Sequence, residues 1–201
     1  MIPRRFILLL LSLLTGILWA ETAQAQTTAT SLGPKETLLS WNFEDKNAGE
    51  VLPWYQASTE EEKKLASALA TQALAATRLA KAVRIKWGAG TATFIAHLCH
   101  TDTPADDSAA AVTVRGDHAT LKCNVPAMLP LFLVRSDGAW RVDVSAYART
   151  LGEQMPSVIQ YCNRCAEATD KIAAEITAGK YPAAEDAIDA VKKAFLVLDA
   201  E

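Results

Sequence analysis

The fold of this chain is decided by two stretches, AVTVRGDHATLKCNV at residues 111–125 and LPLFLVRSDGAWRVDVSAY at residues 129–147. Apolar and polar side chains alternate along both, with the two-residue period that is typical of half-buried strands. Each stretch contains a two-residue connection, Gly116-Asp117 or Asp137-Gly138, that suits a tight hairpin turn. The pattern therefore predicts two antiparallel hairpins, with strands over residues 111–115, 118–125, 129–136 and 139–145.

A long helix is predicted before this sheet. The run STEEE at residues 58–62 contains two overlapping capping boxes, and Gly88 is a typical helix end. We therefore predict a helix over residues 59–87, followed by a shorter helical segment over residues 92–99. The apolar stripe of the long helix, at steps of three and four residues, consists of Leu65, Leu69, Gln72, Ala76, Leu79 and Val83.

Helical periodicity returns after the sheet. Pro156 is compatible with the first turn of a helix, Gly179 ends that helix, and Pro182 opens another. The sequence therefore predicts a C-terminal pair of helices within residues 148–201. The apolar stripe of the first consists of Val158, Cys162, Cys165, Thr169, Ile172 and Ile176.

Helices on one face of an antiparallel meander describe an α+β domain. The strands and turns of residues 111–147, and above all the segment LVRSDGAWRVDVS, resemble the NTF2-like (SnoaL-like) superfamily, in which a curved sheet wraps a long helix to form a cone-shaped pocket. The resemblance implies a long N-terminal helix packed on a curved antiparallel sheet, followed by the C-terminal helical pair. Because the superfamily has no shared catalytic motif, the resemblance implies no functional residue.

The N-terminus has the pattern of a secretory signal peptide. Two arginines at residues 4–5 precede an apolar run at residues 6–19, and the sequence AQA follows at residues 23–25. Because the run is shorter than the ~20 residues that span a bilayer, we predict cleavage between Ala25 and Gln26 and a periplasmic or secreted protein. The predicted organisation is a signal peptide over residues 1–25, a flexible or irregular lead-in over 26–57, an NTF2-like core over 58–147 and a helical hairpin over 148–201.

Composition narrows the classes of partner. Removal of residues 1–25 takes away two arginines and one glutamate, so the formal net charge changes from −3 to −4. A mildly acidic protein lacks the basic face that binds nucleic acid, and no second apolar run is long enough to span a membrane. We therefore expect a small molecule or a protein as partner, with no nucleic acid and no membrane span after signal cleavage.

The four cysteines, Cys99, Cys123, Cys162 and Cys165, all fall on predicted apolar faces. An even number of cysteines in an exported protein predicts disulfides. The sulfurs either bridge helix to sheet or join Cys162 to Cys165 locally, and the pattern favours bridges from the helix that carries this pair to Cys99 or Cys123. The pairing itself stays open, because four cysteines allow three connectivities.

Two other interpretations of the cysteines remain open. A C-x-x-C redox pair needs a thiolate at a helix N-terminus, whereas Pro156 places the predicted helix start about two turns before Cys162. A mixed zinc site needs nitrogen and sulfur ligands close together, and an oxidising compartment competes for the thiols. We therefore expect no metal and no cofactor. The residues available for such a zinc site are His97, Cys99, His100, His118, Cys162 and Cys165.

No nucleophilic G-x-S-x-G segment and no phosphate-binding glycine loop occurs in the sequence. We therefore expect a non-catalytic ligand-binding or interaction module. One alternative is a pocket enzyme of the isomerase or dehydratase type, and another is a metal- or redox-active module built on Cys162 and Cys165. We expect Asp143 to form a solvated ion pair beside Arg141 on the outer sheet face. Side chains of the types that a pocket enzyme uses are Asp143, Tyr55, Tyr147, Tyr161 and the histidines.

Overall fold

A computed structural model describes residues 32–92, 111–122 and 130–200 of this chain. Several features predicted from the sequence lie outside these ranges, and nothing in the structure tests them. They are the signal peptide with its Ala25–Gln26 cleavage site, the helix beyond residue 92, and the side chains of His97, Cys99, His100 and Cys123.

The sheet has five strands within the described residues. In the order β1-β5-β4-β3-β2 they form an open, mixed sheet rather than a closed barrel. The strands are β1 (Tyr55–Gln56), β2 (Ala111–Arg115), β3 (His118–Lys122), β4 (Leu131–Ser136) and β5 (Ala139–Asp143).

The predicted antiparallel meander is present over β2 to β5. Asp137 and Gly138 both have positive φ angles, of 53° and 79°, as a two-residue hairpin turn of type I′ requires. The prediction of a purely antiparallel sheet is wrong, because β1 pairs in parallel with β5 and places Tyr55 opposite Val142. This strand lies within residues 26–57, the segment predicted to be a flexible or irregular lead-in.

The fifth strand ends two residues earlier than predicted. Asp143 is the N-cap of a helix, and its Oδ1 accepts a hydrogen bond from the backbone N–H of Ala146 at 2.9 Å. Aspartate is among the preferred N-cap residues because its side chain satisfies such an N–H. Val144 and Ser145 therefore begin a helix, although the alternation of apolar residues predicted a strand through them.

Helices account for most of the remaining described residues. Short 3₁₀ turns at Leu52–Trp54 and Gly152–Gln154 join some of them. The α-helices are α1 (Pro34–Ser40), α2 (Ala48–Val51), α3 (Glu60–Trp87), α4 (Val144–Leu151), α5 (Met155–Thr177) and α6 (Ala184–Ala200).

The predicted capping signals of α3 are confirmed. The Thr59 hydroxyl accepts a hydrogen bond from the backbone N–H of Glu62, and the Glu62 carboxylate accepts one from the backbone N–H of Thr59. At the other end, Gly88 is the C-cap with φ of 89°, a conformation that an L side chain rarely adopts. Helix α3 therefore begins and ends where its local sequence predicts.

The long helices α3 and α5 lie side by side and run in the same direction. Arg78 of α3 donates two hydrogen bonds of 2.7 Å to the carboxylate of Asp170 on α5, which sets the register of the two helices. Their N-terminal halves share a buried cluster with the sheet, and their C-terminal halves share a second cluster with α6. One face of the sheet therefore packs against the long helices.

Residues before α3 contribute directly to this core. Trp41 stacks on Trp54 with ring centroids 5.2 Å apart, and Phe43 meets Trp54 edge-on at 4.8 Å. Lys81 and Arg84 of α3 form ion pairs with residues 44–45 and hold this segment along the helix. Aromatic residues of the predicted lead-in, residues 26–57, thus belong to the buried cluster that the sheet shares with α3 and α5.

Candidate functional site

The strand register separates a buried face of the sheet from an outer face. Ala119 lies opposite Leu133, and Leu133 lies opposite Val142, so these three buried residues form one row toward the core. Because side chains alternate along a strand, Thr120 and Phe132 project to the other face. The outer face is therefore polar at β3 and partly aromatic at β4.

A depression of about 350 Å³ lies on this outer face, between the sheet and α4. We call it the outer depression. It combines a histidine, a carboxylate, a guanidinium and two threonine hydroxyls with an aromatic ring. Its lining residues are His118, Ala119, Thr120, Phe132, Leu133, Asp143, Ala146, Arg149 and Thr150.

Asp143 is the most buried polar side chain of the outer depression, with 6% of the residue exposed. Its Oδ1 caps α4, and its Oδ2 lies 3.4 Å from Nδ1 of His118. The expectation of a solvated Asp143 beside Arg141 is therefore wrong. The strand turns into a helix at Asp143, which directs the carboxylate at the first turn of α4, and the Arg141 guanidinium contacts Asp137 and Gln56 instead.

One ring nitrogen of His118 lies close to the Asp143 carboxylate, while most of the side chain is exposed to solvent. An ionised carboxylate can only accept hydrogen bonds, so the contact with Asp143 favours, for a neutral imidazole, the tautomer that carries its hydrogen on Nδ1. Nε2 is then a hydrogen-bond acceptor, and 66% of the His118 side chain is exposed to solvent. The Asp143 carboxylate thus orients the ring and leaves Nε2 available to a second molecule.

Helix α4 supplies the opposite wall of the depression. Ala146, Arg149 and Thr150 are spaced three and four residues apart, so they share one face of the helix. The Thr150 hydroxyl donates to the carbonyl oxygen of Ala146 at 2.9 Å and keeps its own lone pairs as acceptors. Arg149 therefore stands beside a hydroxyl acceptor on the rim of the depression.

Glu62 ties the start of α3 to α4 behind this wall. Partial burial acts to raise the pKa of the Glu62 carboxyl, but hydrogen bonds from the backbone N–H groups of Ser58 and Thr59 lower it. The Ser145 hydroxyl and the nearby charge of Arg149 lower the pKa further, so that it lies below its ordinary value. The capping box of α3 thus also helps to position α4.

Tyr55 and Tyr147 lie in the core rather than in the outer depression. Burial first, and then the proximity of Tyr147 and Cys162, raise the pKa of Tyr55 far above its ordinary value. The Tyr147 hydroxyl donates to the carbonyl oxygen of Pro130 at 3.2 Å and lies 3.4 Å from the backbone N–H of Phe132. Tyr161 belongs to the second cluster. Of the candidate acid–base residues, the structure thus brings together only Asp143 and His118 in a solvent-open site within the part of the chain that it describes.

The C-x-x-C pair is buried in the middle of α5, and the prediction that both sulfurs face inward is confirmed. Cys162 is 1% exposed and Cys165 is not exposed. Among the described residues no disulfide joins them, and no group of three metal-ligating side chains occurs. Burial, and then the proximity of Cys165, raise the pKa of the Cys162 thiol, which opposes formation of a thiolate.

Sequence reasoning missed Thr120, Arg149 and Thr150 as site residues. One available signal was the order of residues after Trp140, because an aspartate before a short amphipathic run is typical of a helix N-cap. That signal would have placed Arg149 on a short helix that follows the sheet directly, separate from the C-terminal helical pair. The proximity of this face to His118 depends on the pairing of β3, β4 and β5.

Within residues 32–92, 111–122 and 130–200, no helix is both long and apolar enough to cross a membrane. Comparison of the chain with protein-family models, with curated proteins and with solved structures gives no match.

Proposed function

We propose that this chain is an exported, non-catalytic module that binds a small molecule in the outer depression. The observation that carries the proposal is the placement of His118 Nδ1 3.4 Å from Asp143 Oδ2 at the edge of a depression of about 350 Å³. This volume falls in the range of small-molecule sites, which combine apolar walls with a few convergent polar groups. Phe132 supplies the apolar wall, and His118 and Arg149 supply polar groups.

The exposure of His118 favours binding over catalysis. Enzymes strengthen their electrostatic interactions by excluding water from the reacting groups. The imidazole of His118 is two-thirds exposed, and Arg149 is also exposed at the rim. A solvent-exposed site of this kind provides specificity through hydrogen bonds, whereas it offers little of the low-dielectric environment that acid–base catalysis uses.

A ligand screen monitored by NMR tests this proposal. Compounds that bind as proposed shift the backbone amide signals of Thr120, Phe132 and Ala146 in the purified, isotope-labelled protein. Arg149→Gln weakens the tightest of them about fivefold or more, a loss of about 1 kcal/mol. The matched control is Arg135→Gln, because Arg135 is an exposed arginine of β4 outside the depression. Binders that map elsewhere, or that respond equally to both substitutions, contradict the proposal.

A pocket enzyme of the isomerase or dehydratase type is the second candidate. It is favoured by one observation, the oriented His118–Asp143 pair, which is the arrangement of a general base and its positioning carboxylate. Such an enzyme removes a proton next to a carbonyl group, so it exchanges that proton with deuterium from D2O. Exchange in a panel of small carbonyl compounds that is abolished by His118→Asn supports the enzyme, and absence of exchange supports binding alone.

The proposal includes an NTF2-like fold. It is supported by a long helix that precedes a four-strand meander with tight turns at residues 116–117 and 137–138. The resemblance also implies a curved sheet that encloses a cone-shaped space against the long helix. An experimental structure that includes residues 93–110 and 123–129 tests it, and a flat sheet with no enclosed space contradicts it.

Export and disulfide bonding also belong to the proposal. The signal-peptide pattern of residues 1–25 supports cleavage before Gln26, and the even count of four cysteines supports pairing. Because Cys162 and Cys165 are not joined to each other, we expect a bridge from one of them to Cys99 or Cys123. Peptide mapping without reductant, on protein recovered from the exported fraction, detects this bridge. Alkylation of all four thiols contradicts it.

A further inference from the structure

The hydrogen-bonding groups of the outer depression define a class of ligand. This inference rests on the proposed function, since it takes the outer depression as the binding site. Two groups at the site carry opposite requirements: His118 presents an acceptor, and Arg149 presents only donors. A ligand that satisfies both must itself carry a donor at one end and an acceptor at the other.

At the His118 end, the ligand group is a hydrogen-bond donor. Oδ1 of Asp143 accepts a hydrogen bond from the N–H of Ala146, and Oδ2 lies 3.4 Å from Nδ1 of His118. The neutral ring therefore keeps its hydrogen on Nδ1 and offers the lone pair of Nε2. A hydroxyl group matches this acceptor, and the Thr120 hydroxyl, on the same sheet face, can join the same interaction.

At the α4 end, the ligand group is an anion. The Arg149 guanidinium has five N–H donors in a planar fork, which matches a carboxylate in two parallel hydrogen bonds. The Glu62 carboxylate attracts the Arg149 guanidinium from the α3 side. One carboxylate does not use all five N–H donors, so donors remain for the carboxylate of a ligand. The N-terminus of α4, which the Asp143 carboxylate caps, offsets part of the negative charge that would repel an anionic ligand.

Between the two ends, the wall is apolar and the space is short. The Phe132 ring lines it from the sheet, and Ala146 lines it from the helix. Because a water molecule in the liquid takes about 30 Å³, the 350 Å³ of the depression hold a ligand of about a dozen non-hydrogen atoms. A carbon chain of about six atoms, with hydroxyls along it, has that size.

From these features we infer that the outer depression binds a small hydroxylated carboxylate, of the class of hydroxy acids and sugar acids. The carboxylate pairs with Arg149, and a hydroxyl donates to His118 Nε2. The Thr150 hydroxyl, which donates to the Ala146 carbonyl, accepts from a second hydroxyl of the ligand. Removal of either the carboxylate or the hydroxyls from the ligand is therefore expected to weaken binding.

Three probes of similar length separate these contributions. Gluconate carries a carboxylate and hydroxyls, sorbitol carries the hydroxyls without the carboxylate, and hexanoate carries the carboxylate without the hydroxyls. Each is titrated into the purified protein at neutral pH while the ring signal of His118 is followed by NMR. That signal is assigned as the one that His118→Asn removes, since the chain has three histidines.

The inference predicts a saturable shift with gluconate, at a dissociation constant at least tenfold below those of sorbitol and hexanoate. Arg149→Gln removes the advantage of gluconate over sorbitol, and Arg149→Lys retains part of it because the charge remains. Equal binding of sorbitol or hexanoate overturns the ligand class and leaves the site in place. If none of the three probes gives a saturable shift, the ligand class is also overturned. In that case the wider ligand screen decides separately whether the depression binds anything.

Discussion

His118 Nδ1 lies 3.4 Å from Oδ2 of Asp143, although 66% of the His118 side chain is exposed and only 8% of the Asp143 side chain. The carboxylate is held from behind by the N–H of Ala146, so a buried group fixes the orientation of an exposed one. This relationship connects the fold to the site. The strand-to-helix turn at Asp143 both ends the sheet and orients the imidazole.

Two substitutions of Asp143 separate the contribution of its capping oxygen from that of its negative charge. Asp143→Ala removes the cap of α4 and is expected to lower the free energy of unfolding by about 1–2 kcal/mol. Asp143→Asn keeps a side-chain oxygen for the cap, so most of that stability is retained. Urea unfolding of both variants measures the difference. Equal losses for alanine and asparagine would mean that the charge, rather than the cap, stabilises the helix.

The Glu62 carboxylate gives stability that depends on pH. Its folded pKa lies below the ordinary value of 4.5, so the stabilisation is fully present above the unfolded pKa and is lost as pH falls through the folded pKa. Glu62→Gln retains a capping side chain but removes the charge. The urea midpoints of the two proteins are therefore expected to differ most above the unfolded pKa and to converge as the pH falls below the folded pKa. Parallel curves over this range contradict the prediction.

Gln72 is 4% exposed, and neither its Oε1 nor its Nε2 has a hydrogen-bond partner in the structure. A buried amide without a partner costs about 1–3 kcal/mol. Gln72→Leu removes this cost and is expected to raise the free energy of unfolding by about 1 kcal/mol or more. The control is Gln160→Leu on the exposed face of α5, which is expected to have little effect. A destabilised Gln72→Leu variant would show that a buried water satisfies the amide.

Tyr147 joins α4 to the start of β4 through its hydroxyl, which donates to the carbonyl oxygen of Pro130. Its ring meets Phe132 edge-on at 5.2 Å. Tyr147→Phe preserves the ring contact and leaves the buried hydrogen bond unmade, so we expect a loss of about 1 kcal/mol in thermal or urea unfolding. A loss close to zero would mean that the carbonyl finds water when the hydroxyl is absent.

Local signals in the sequence predict much of this fold. The capping box at Thr59 and Glu62, the glycine at 88 and the turn at Asp137-Gly138 act through neighbouring residues, and each lies where the sequence places it. The inward orientation of Cys162 also follows from helical periodicity. Interactions within a few residues of chain are readable from the sequence because they need no knowledge of the rest of the fold.

Features that depend on contacts between residues far apart in the chain are not predicted by these local signals. The pairing of Tyr55 with Val142 involves a strand of two residues, too short to show a period. Asp143 also continues the alternation of β5, so its capping role is hidden behind a strand pattern. The outer depression depends on the second of these features, because its wall is the helix that Asp143 caps.

The most direct test of ligand binding in the outer depression is a crystal structure with the tightest ligand of the NMR screen. We expect that ligand between the sheet and α4, with a donor group within hydrogen-bond distance of His118 Nε2 and an acceptor on the Arg149 guanidinium. A ligand bound at another surface, with the outer depression filled by water alone, would contradict it.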